Sequence, residues 1–374
     1  MAFRPHLRSI WTLLVLAALC YGLFLWADAS RIQAKKDYYE EKIAATELAD
    51  QALRALASRE SVELERTESF GDSRLDAVIG QQFSTITDEL GSFEAKLVGS
   101  NPNFAAIFVD QLKSAGLNRD DFIAVAMTAS NPGANIAFLS ACQTLGIRTK
   151  IVSTVASSWW GANDPEYTWL DMYKHLNARF FERSEMIAAS IGGLDDNGAG
   201  LSSQGRNEAI EACARTGVTL LRSEGLMQAG ILWWRTLTSS LPSGSTYKAY
   251  VNLGEGLASL GHAENGALID DGVNRKLPRR NWPARGAVHV ASESGLPVIQ
   301  IFDIARMARI HGLGTVRIPL PPNGTGEVFS TERYDMRVSV TALVIALAVM
   351  IFMIRLDAKY FRLPDAGVDP ETLM

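Results

Sequence analysis

The chain has 374 residues, a net charge of −5 and 47% hydrophobic residues. That balance is too apolar and too mixed in charge for a disordered chain. Mild acidity argues against a general nucleic-acid binder, which usually carries a basic surface. Three cysteines, Cys20, Cys142 and Cys213, stand apart with no CxxC spacing, so neither a zinc site nor a thioredoxin-like redox pair is indicated.

Residues 1–9 read as a cytoplasmic tail, and residues 10–27 form an uncharged run with Trp11, Tyr21 and Trp26 near its ends. A bilayer core of about 30 Å needs about 20 apolar residues in a helix, so the run just suffices. A cleaved signal peptide is the rival reading, because Ala27-Asp28-Ala29 fits a small-x-small cleavage site. A lipoprotein signal ending at Cys20 fits poorly, with Leu19 before the cysteine. The retained anchor is preferred, because a charged helical pattern continues from it.

Residues 28–70 read as a helical stalk, with Ile43, Leu48, Leu53 and Leu56 as its apolar positions. A second uncharged run follows at 338–354, bounded by Arg337 and Arg355, and leads to a tail at 355–374. Arg4 and Arg8 before the first run, with Arg355, Lys359 and Arg362 after the second, favour cytoplasmic tails. The domain at 71–332 is then extracytoplasmic, at the cytoplasmic membrane. Arg31, Lys35 and Lys36 lie on the other side of the first run and oppose that count.

Within the domain, helices are expected at 73–90, 101–116, 132–146, 167–176, 203–217, 226–237 and 304–311. Strands are expected at 122–128, 149–155, 185–191, 218–221, 247–253, 286–291 and 297–302. Pro132 at the first turn and Gly146 at the end frame the third helix. Strands alternating with helices imply an α/β fold with a largely parallel sheet and flanking helices. Ligands bind such sheets at the carboxyl ends of the strands.

Five loops stand out. TASNPGAN at 128–135 leaves a strand and opens a helix, where free N–H groups and the helix dipole favour an anion. Its Ser130, Asn131 and Asn135 are ligand candidates, and a plain cap is the alternative. ASSWWGANDP at 156–165 holds adjacent tryptophans in a polar loop, which are costly to expose without use. Ser157, Ser158, Trp159, Trp160, Asn163 and Asp164 are its candidates; the alternative is that the rings cap the core. IGGLDDNGAG at 191–200 reads as a flexible turn, its carboxylates not spaced as in an EF-hand. NLGEGLAS at 252–259 lacks the third glycine of a dinucleotide fingerprint. It is read as a close-approach turn, with Asn252 and Glu255 as candidates and His262 nearby. NRKLPRRNWPAR at 274–285 gathers Arg275, Lys276, Arg279, Arg280 and Arg285, a multivalent site for a polyanion or a solvated loop.

No GxxxxGK[ST], HExxH or GxSxG occurs. No catalytic residue, metal site or cofactor is assigned from the residues.

NPNFAA at 101–106, TASNPGANI at 128–136, SSWWGANDP at 157–165 with TWLD at 168–171, and NLGEGLASLG at 252–261 together resemble the poly-γ-glutamate system protein family. The resemblance covers residues 76–329. It implies a role beside the membrane machinery that makes and exports poly-γ-glutamate, where an ATP-dependent ligase and a multispanning protein act. Lacking an ATP motif, this chain is expected to be an accessory component. Its partners are the bilayer, the synthase membrane subunits and the emerging polymer. Two other readings stay open. One is an amide hydrolase or transferase using Ser157 or Ser158 as nucleophile with Asp164, Glu255 or His262. The other is a structural assembly subunit with no polymer affinity.

Overall fold

The computed structural model describes residues 9–58, 69–314 and 317–361. These divide into two units, one holding both chain termini and the other spanning Lys36–Phe329.

The terminal unit consists of helix α1 (Ile10–Ala29), strand β1 (Arg31–Lys35) and, from the far end of the chain, strand β11 (Ser330–Tyr334) and helix α14 (Met336–Phe361). β1 and β11 pair antiparallel, from Arg31 opposite Tyr334 to Lys35 opposite Ser330. Arg31 bonds Asp28 at 2.8 Å, and the Tyr334 hydroxyl donates to the same carboxylate. Both helices are long and apolar enough to cross a membrane, and their apolar side chains are mostly exposed. Arg4, Arg8 and Arg362, which carried the orientation argument, lie outside the described residues.

The larger unit runs through α2 (Tyr39–Ala57), α3 (Ser73–Val78), β2 (Thr87–Glu89), α4 (Phe93–Gly99), α5 (Phe104–Ser114), β3 (Phe122–Met127), α6 (Pro132–Leu145), β4 (Arg148–Thr154) and β5 (Ser157–Ser158). It continues with α7 (Trp169–Phe180), β6 (Ser184–Ser190), α8 (Ser203–Thr216), β7 (Thr219–Leu220), α9 (Leu226–Ser239) and β8 (Tyr247–Leu253). The last elements are α10 (Leu257–Leu260), α11 (Ala263–Leu268), β9 (Gly272–Asn274), α12 (Ala287–Glu293), β10 (Val298–Ile301) and α13 (Ile304–Ile310).

Seven strands form one sheet in the order β7-β6-β4-β3-β8-β10-β9. All neighbours are parallel except β9, which runs antiparallel to β10. The expected α/β fold with a largely parallel sheet and flanking helices is present. Alternation along β3 sends Ile123, Val125 and Met127 into one core and Ala124 and Ala126 into the other. The sheet is therefore covered on both faces, as buried parallel strands require. From β3 the chain first builds outward through β4, β6 and β7, then returns to place β8 on the other side of β3. That reversal makes a topological switch point at the carboxyl ends of β3 and β8.

The expected stalk is not one. Its first part is the strand β1, and α2 is packed into the larger unit; residues 59–68 lie outside the described residues. Ala45, Ala49, Ala52, Leu53 and Leu56 of α2 are buried, and small alanines let it lie close to α5 and α6. Lys42 is buried too, and its ammonium bonds Asp110 Oδ1 at 2.8 Å and the Val328 carbonyl at 3.0 Å. The charges that suggested a solvated helix sit on its outer face or are paired.

Two further expectations fail. Of the helix expected at 73–90 only the short α3 forms, stopping before Gly80, where a Cβ would stand 2.2 Å from Asn163 Oδ1; the end of the segment is the strand β2. Residues 287–291 of the expected strand at 286–291 lie in a helix, α12. A short apolar run without a clear period does not separate the two.

Candidate functional site

The loop after β3 is built inward. Asn131 precedes Pro132, whose missing N–H costs nothing at the first turn of α6. Gly133 lets Ser100 press on the helix start, where a Cβ would come within 2.4 Å of its hydroxyl. The Ser130 hydroxyl accepts from Ser158 N at 3.1 Å, and Asn135 Nδ2 donates to the Thr128 carbonyl at 2.8 Å. Ser130, Asn131 and Asn135 are all buried. The expected anion cradle is thus closed by α4; Ser130 and Asn135 hold the loop together, while Asn131 Oδ1 is buried without a partner.

The tryptophan loop is also mostly structural. Asn163 clamps the 81–87 segment, accepting from Gln81 N at 3.0 Å and donating to Gln81 O at 2.8 Å and Thr87 Oγ1 at 3.0 Å. Asp164 accepts from Glu166 N in the turn before α7. Trp159 and Trp160 are half-buried and meet edge-on at 5.5 Å. Trp160 packs against Phe93 at 5.3 Å, and Phe93 against Phe70 at 5.5 Å. These rings cap a core.

Ser157 and Ser158 are fully buried. Gly91 covers Ser158, since a Cβ there would stand 2.9 Å from its Oγ. As nucleophiles they are out of reach of a substrate. His262 is exposed and accepts from Glu264 N at the start of α11. No Ser-based catalytic set forms from the residues expected.

A cleft does open at the switch point, about 50 Å³ in size. Asp88 and Glu89 reach it from β2, which pairs with β5 so that Glu89 lies opposite Ser158. Thr128 and Ser130 come from the loop after β3, Gly192, Gly193 and Asp196 from the loop after β6, and Glu255 and Gly256 from the loop after β8. Gly254 adopts φ +100°, and a Cβ there would stand 2.4 Å from Thr128 Oγ1. The glycine is therefore what brings Glu255 to this place. Asn252 Nδ2 holds the turn by donating to the Gly254 carbonyl at 2.9 Å.

The electrostatics of this cleft are unusual. Lys96 of α4 is 4% exposed, and its ammonium donates to Ser158 Oγ at 2.7 Å. Burial lowers its pKa to about 8, against the pull of Glu255, Glu89 and Asp88. Glu89 stands exposed at the mouth. Protein packed about its carboxyl pushes its pKa well above the ordinary range; the Glu255 and Asp88 charges and a hydrogen bond with Glu255 add to the rise. Burial pushes Asp88 up to about 6, although Gly193 N donates to it at 3.1 Å. Burial pushes Asp196 up to about 7, and Ser190 Oγ and Trp233 Nε1 donate to its carboxyl at 2.5 and 2.8 Å. The 191–200 loop, expected to be a flexible turn, thus anchors a buried carboxyl. Among the described residues no three His, Cys, Asp or Glu side chains converge in a way that could hold a metal ion.

A second, larger cleft of about 890 Å³ is lined by a separate set of residues. Arg275, Lys276, Arg279, Arg280 and Arg285 all border it, so the basic loop is brought together as one surface. Glu293 is the one acid on its lining and pairs with Arg285. Arg275, Lys276 and Arg279 make no ion pair among the described residues. Arg280 lies over the Trp282 ring at 5.2 Å, and Trp282 meets the His289 ring edge-on at 4.7 Å. His289 is 2% exposed and accepts from Gly286 N through Nδ1. Burial, then the Arg285 charge, lower its pKa to about 4. The imidazole is therefore neutral with its proton on Nε2, and that buried donor has no partner.

Asp88, Glu89 and Lys96 were not singled out in the sequence, and Asp196 stood out only as a loop carboxylate without cation-site spacing. Lys96 had a signal in retrospect, being a lone cation in the apolar stretch FEAKLVG.

No protein-family model and no curated protein matches the chain. Among solved structures, an archaeal alanine:glyoxylate aminotransferase aligns at 12% identity and a TM-score of 0.15, over 93% of this chain and 60% of that one. The chain thus spans less than two thirds of that enzyme's length, and so low a TM-score carries no argument.

Proposed function

We propose that the chain is a membrane-anchored accessory component of poly-γ-glutamate synthesis or export, and that it holds the emerging polyanion in its basic cleft. The supporting observation is the cleft of Arg275, Lys276, Arg279, Arg280 and Arg285, with one acid on its lining. Arg275, Lys276, Arg279 and Arg280 make no ion pair among the described residues, and carboxylates every few bonds along a polymer would meet them in series. Trp282 gives the methylenes of the chain an apolar face.

The anchors in this reading are α1 and α14, on length and composition. The antiparallel ribbon of β1 and β11 joins the C-terminal end of α1 to the N-terminal end of α14. The synthase membrane subunits are the proposed protein partners. The test is a titration of the full-length protein, in detergent, with poly-γ-glutamate at rising salt. Binding that weakens steadily with salt supports the reading, and absence of binding at low salt overturns it.

A further inference from the structure

The switch-point cleft is not explained by polymer holding, since its carboxyls would repel a polyanion. Asp88, Glu89, Asp196 and Glu255 line it, and no lysine or arginine does. Lys96 stands outside the lining, with its ammonium donating to Ser158 Oγ at 2.7 Å. Four carboxyls from three separate segments therefore border one small space with no basic side chain on its wall. Mutual repulsion opposes such a grouping, and a bound positive charge would relieve it.

Two unpartnered polar atoms point to the same class of ligand. The Thr128 side chain, 5% exposed, lines the cleft beside Gly254 and Gly256, and its hydroxyl has no partner. Asp88 Oδ2 accepts from Gly193 N at 3.1 Å, while Oδ1 is buried without a partner. An ionised carboxylate only accepts, so what completes Oδ1 is a donor. Buried polar atoms left unpaired at a cleft wall ask for a ligand. Leu194 and Leu257 add an apolar side to the lining, and Leu194 stands 65% exposed. The cleft lies where α/β sheets place their ligands.

We infer that the switch-point cleft binds a primary alkylammonium group, of the kind carried by a free linear amine or a lysine side chain. Asp88 Oδ1 and Thr128 Oγ1 are the acceptors for its N–H groups. Glu89 and Glu255 supply further negative charge, and Leu194 and Leu257 cover the first methylenes. The cleft of about 50 Å³ sets the size. At about 10–15 Å³ for each water-sized group it takes about three to five of them, an ammonium and the first carbons of a straight chain. A metal ion fits less well, because among the described residues no three acids converge in a way that could hold one. The inference does not rest on the polymer reading.

The test is a calorimetric titration of the full-length protein, in detergent at low salt, with three probes. These are n-butylamine, a capped peptide with one internal lysine, and n-butanol as the neutral match in shape. Binding of an ammonium probe and none of butanol is expected. Asp88→Asn and Glu255→Gln should each weaken that binding about 10-fold or more, the scale of a hydrogen bond to a charged group. Thr128→Val should also weaken it, while the melting temperature holds or rises because the hydroxyl removed has no partner. A merely structural role for Thr128 would lower the melting temperature and leave affinity alone.

Butylamine binding alone assigns the site to a free amine, and peptide binding assigns it to a lysine side chain; either outcome supports it. Binding of neither probe, equal binding of butanol, or unchanged affinity in both carboxyl variants overturns it.

Discussion

Arg74→Ala removes the cation that Asp50 and Asp72 share, and with it the main polar tie between α2 and α3. Arg74 bonds Asp50 Oδ1 at 2.6 Å and Asp72 Oδ2 at 2.7 Å, with about 10% of its side chain exposed. Removing one partner of a buried pair typically costs about 3–5 kcal/mol. The cost here should fall near the lower end, about 3 kcal/mol. Asp50 keeps Arg54 at 2.8 Å and Asp72 keeps the Leu320 N–H at 3.0 Å. For a domain of about 290 residues that is a drop of about 5 °C in melting temperature.

The effect has a pH signature. The Arg74 guanidinium holds Asp72 down at about 2, below its unfolded value of about 3.9. Its contribution is therefore present above pH ~4 and is lost as pH falls toward ~2. With solvent screening it amounts to about 1–2 kcal/mol, and much of it should vanish in the variant. Thermal unfolding of the full-length protein in detergent from pH 2.5 to 7 reads both quantities. A loss under about 0.5 kcal/mol with an unchanged acid limb would refute the docking of α2 and restore a free stalk.

Asp196→Asn should flatten stability between pH ~4 and ~7. The folded carboxyl is raised to about 7, so the native state loses stability as pH rises through that window. Denaturant unfolding at pH 5 and 8 checks this, and an unchanged difference between the two refutes it. Gly254→Ala should cost about 1–3 kcal/mol, since φ +100° strains any Cβ and this one would meet Thr128 Oγ1 at 2.4 Å. Its melting temperature should fall by several degrees, and a neutral result would show that the turn can relax.

Much of the sheet was legible because its local signals agree. β8 was expected at 247–253 and is Tyr247–Leu253. α6 is framed by Pro132 and by Gly146 at φ 72°, as the proline and glycine indicated. The alternation of strand and helix was enough to imply the parallel sheet. What failed was decided by tertiary packing. Residues 39–57 carry a helical pattern either way; only burial of their alanine face against α5 and α6 separates a docked helix from a stalk. The tryptophan pair was conspicuous by composition, yet Phe93 and Phe70 cover it from distant positions. The switch-point cleft was half legible: Glu255 and Ser130 were candidates by loop position. Asp88, Glu89 and Lys96 lie in segments with no motif, and they matter only because β2 pairs with β5. The basic loop was the simplest case, since a dense run of cations declares its charge wherever it folds.

The most direct measurement of the central proposal is the affinity of the full-length protein for poly-γ-glutamate with the cleft charge cancelled. Arg279→Glu with Arg280→Glu changes the cleft by four unit charges. At about 0.5 kcal/mol for each exposed charge, binding should weaken by about 2 kcal/mol, or roughly 30-fold, at ~0.01 M salt. The gap should shrink at ~0.15 M, where the Debye length falls from about 30 to 8 Å. Arg119→Glu with Lys174→Glu, two exposed cations outside the cleft, serves as the matched control and should weaken binding far less. Equal weakening in the two double variants, or no binding at low salt, would contradict the account.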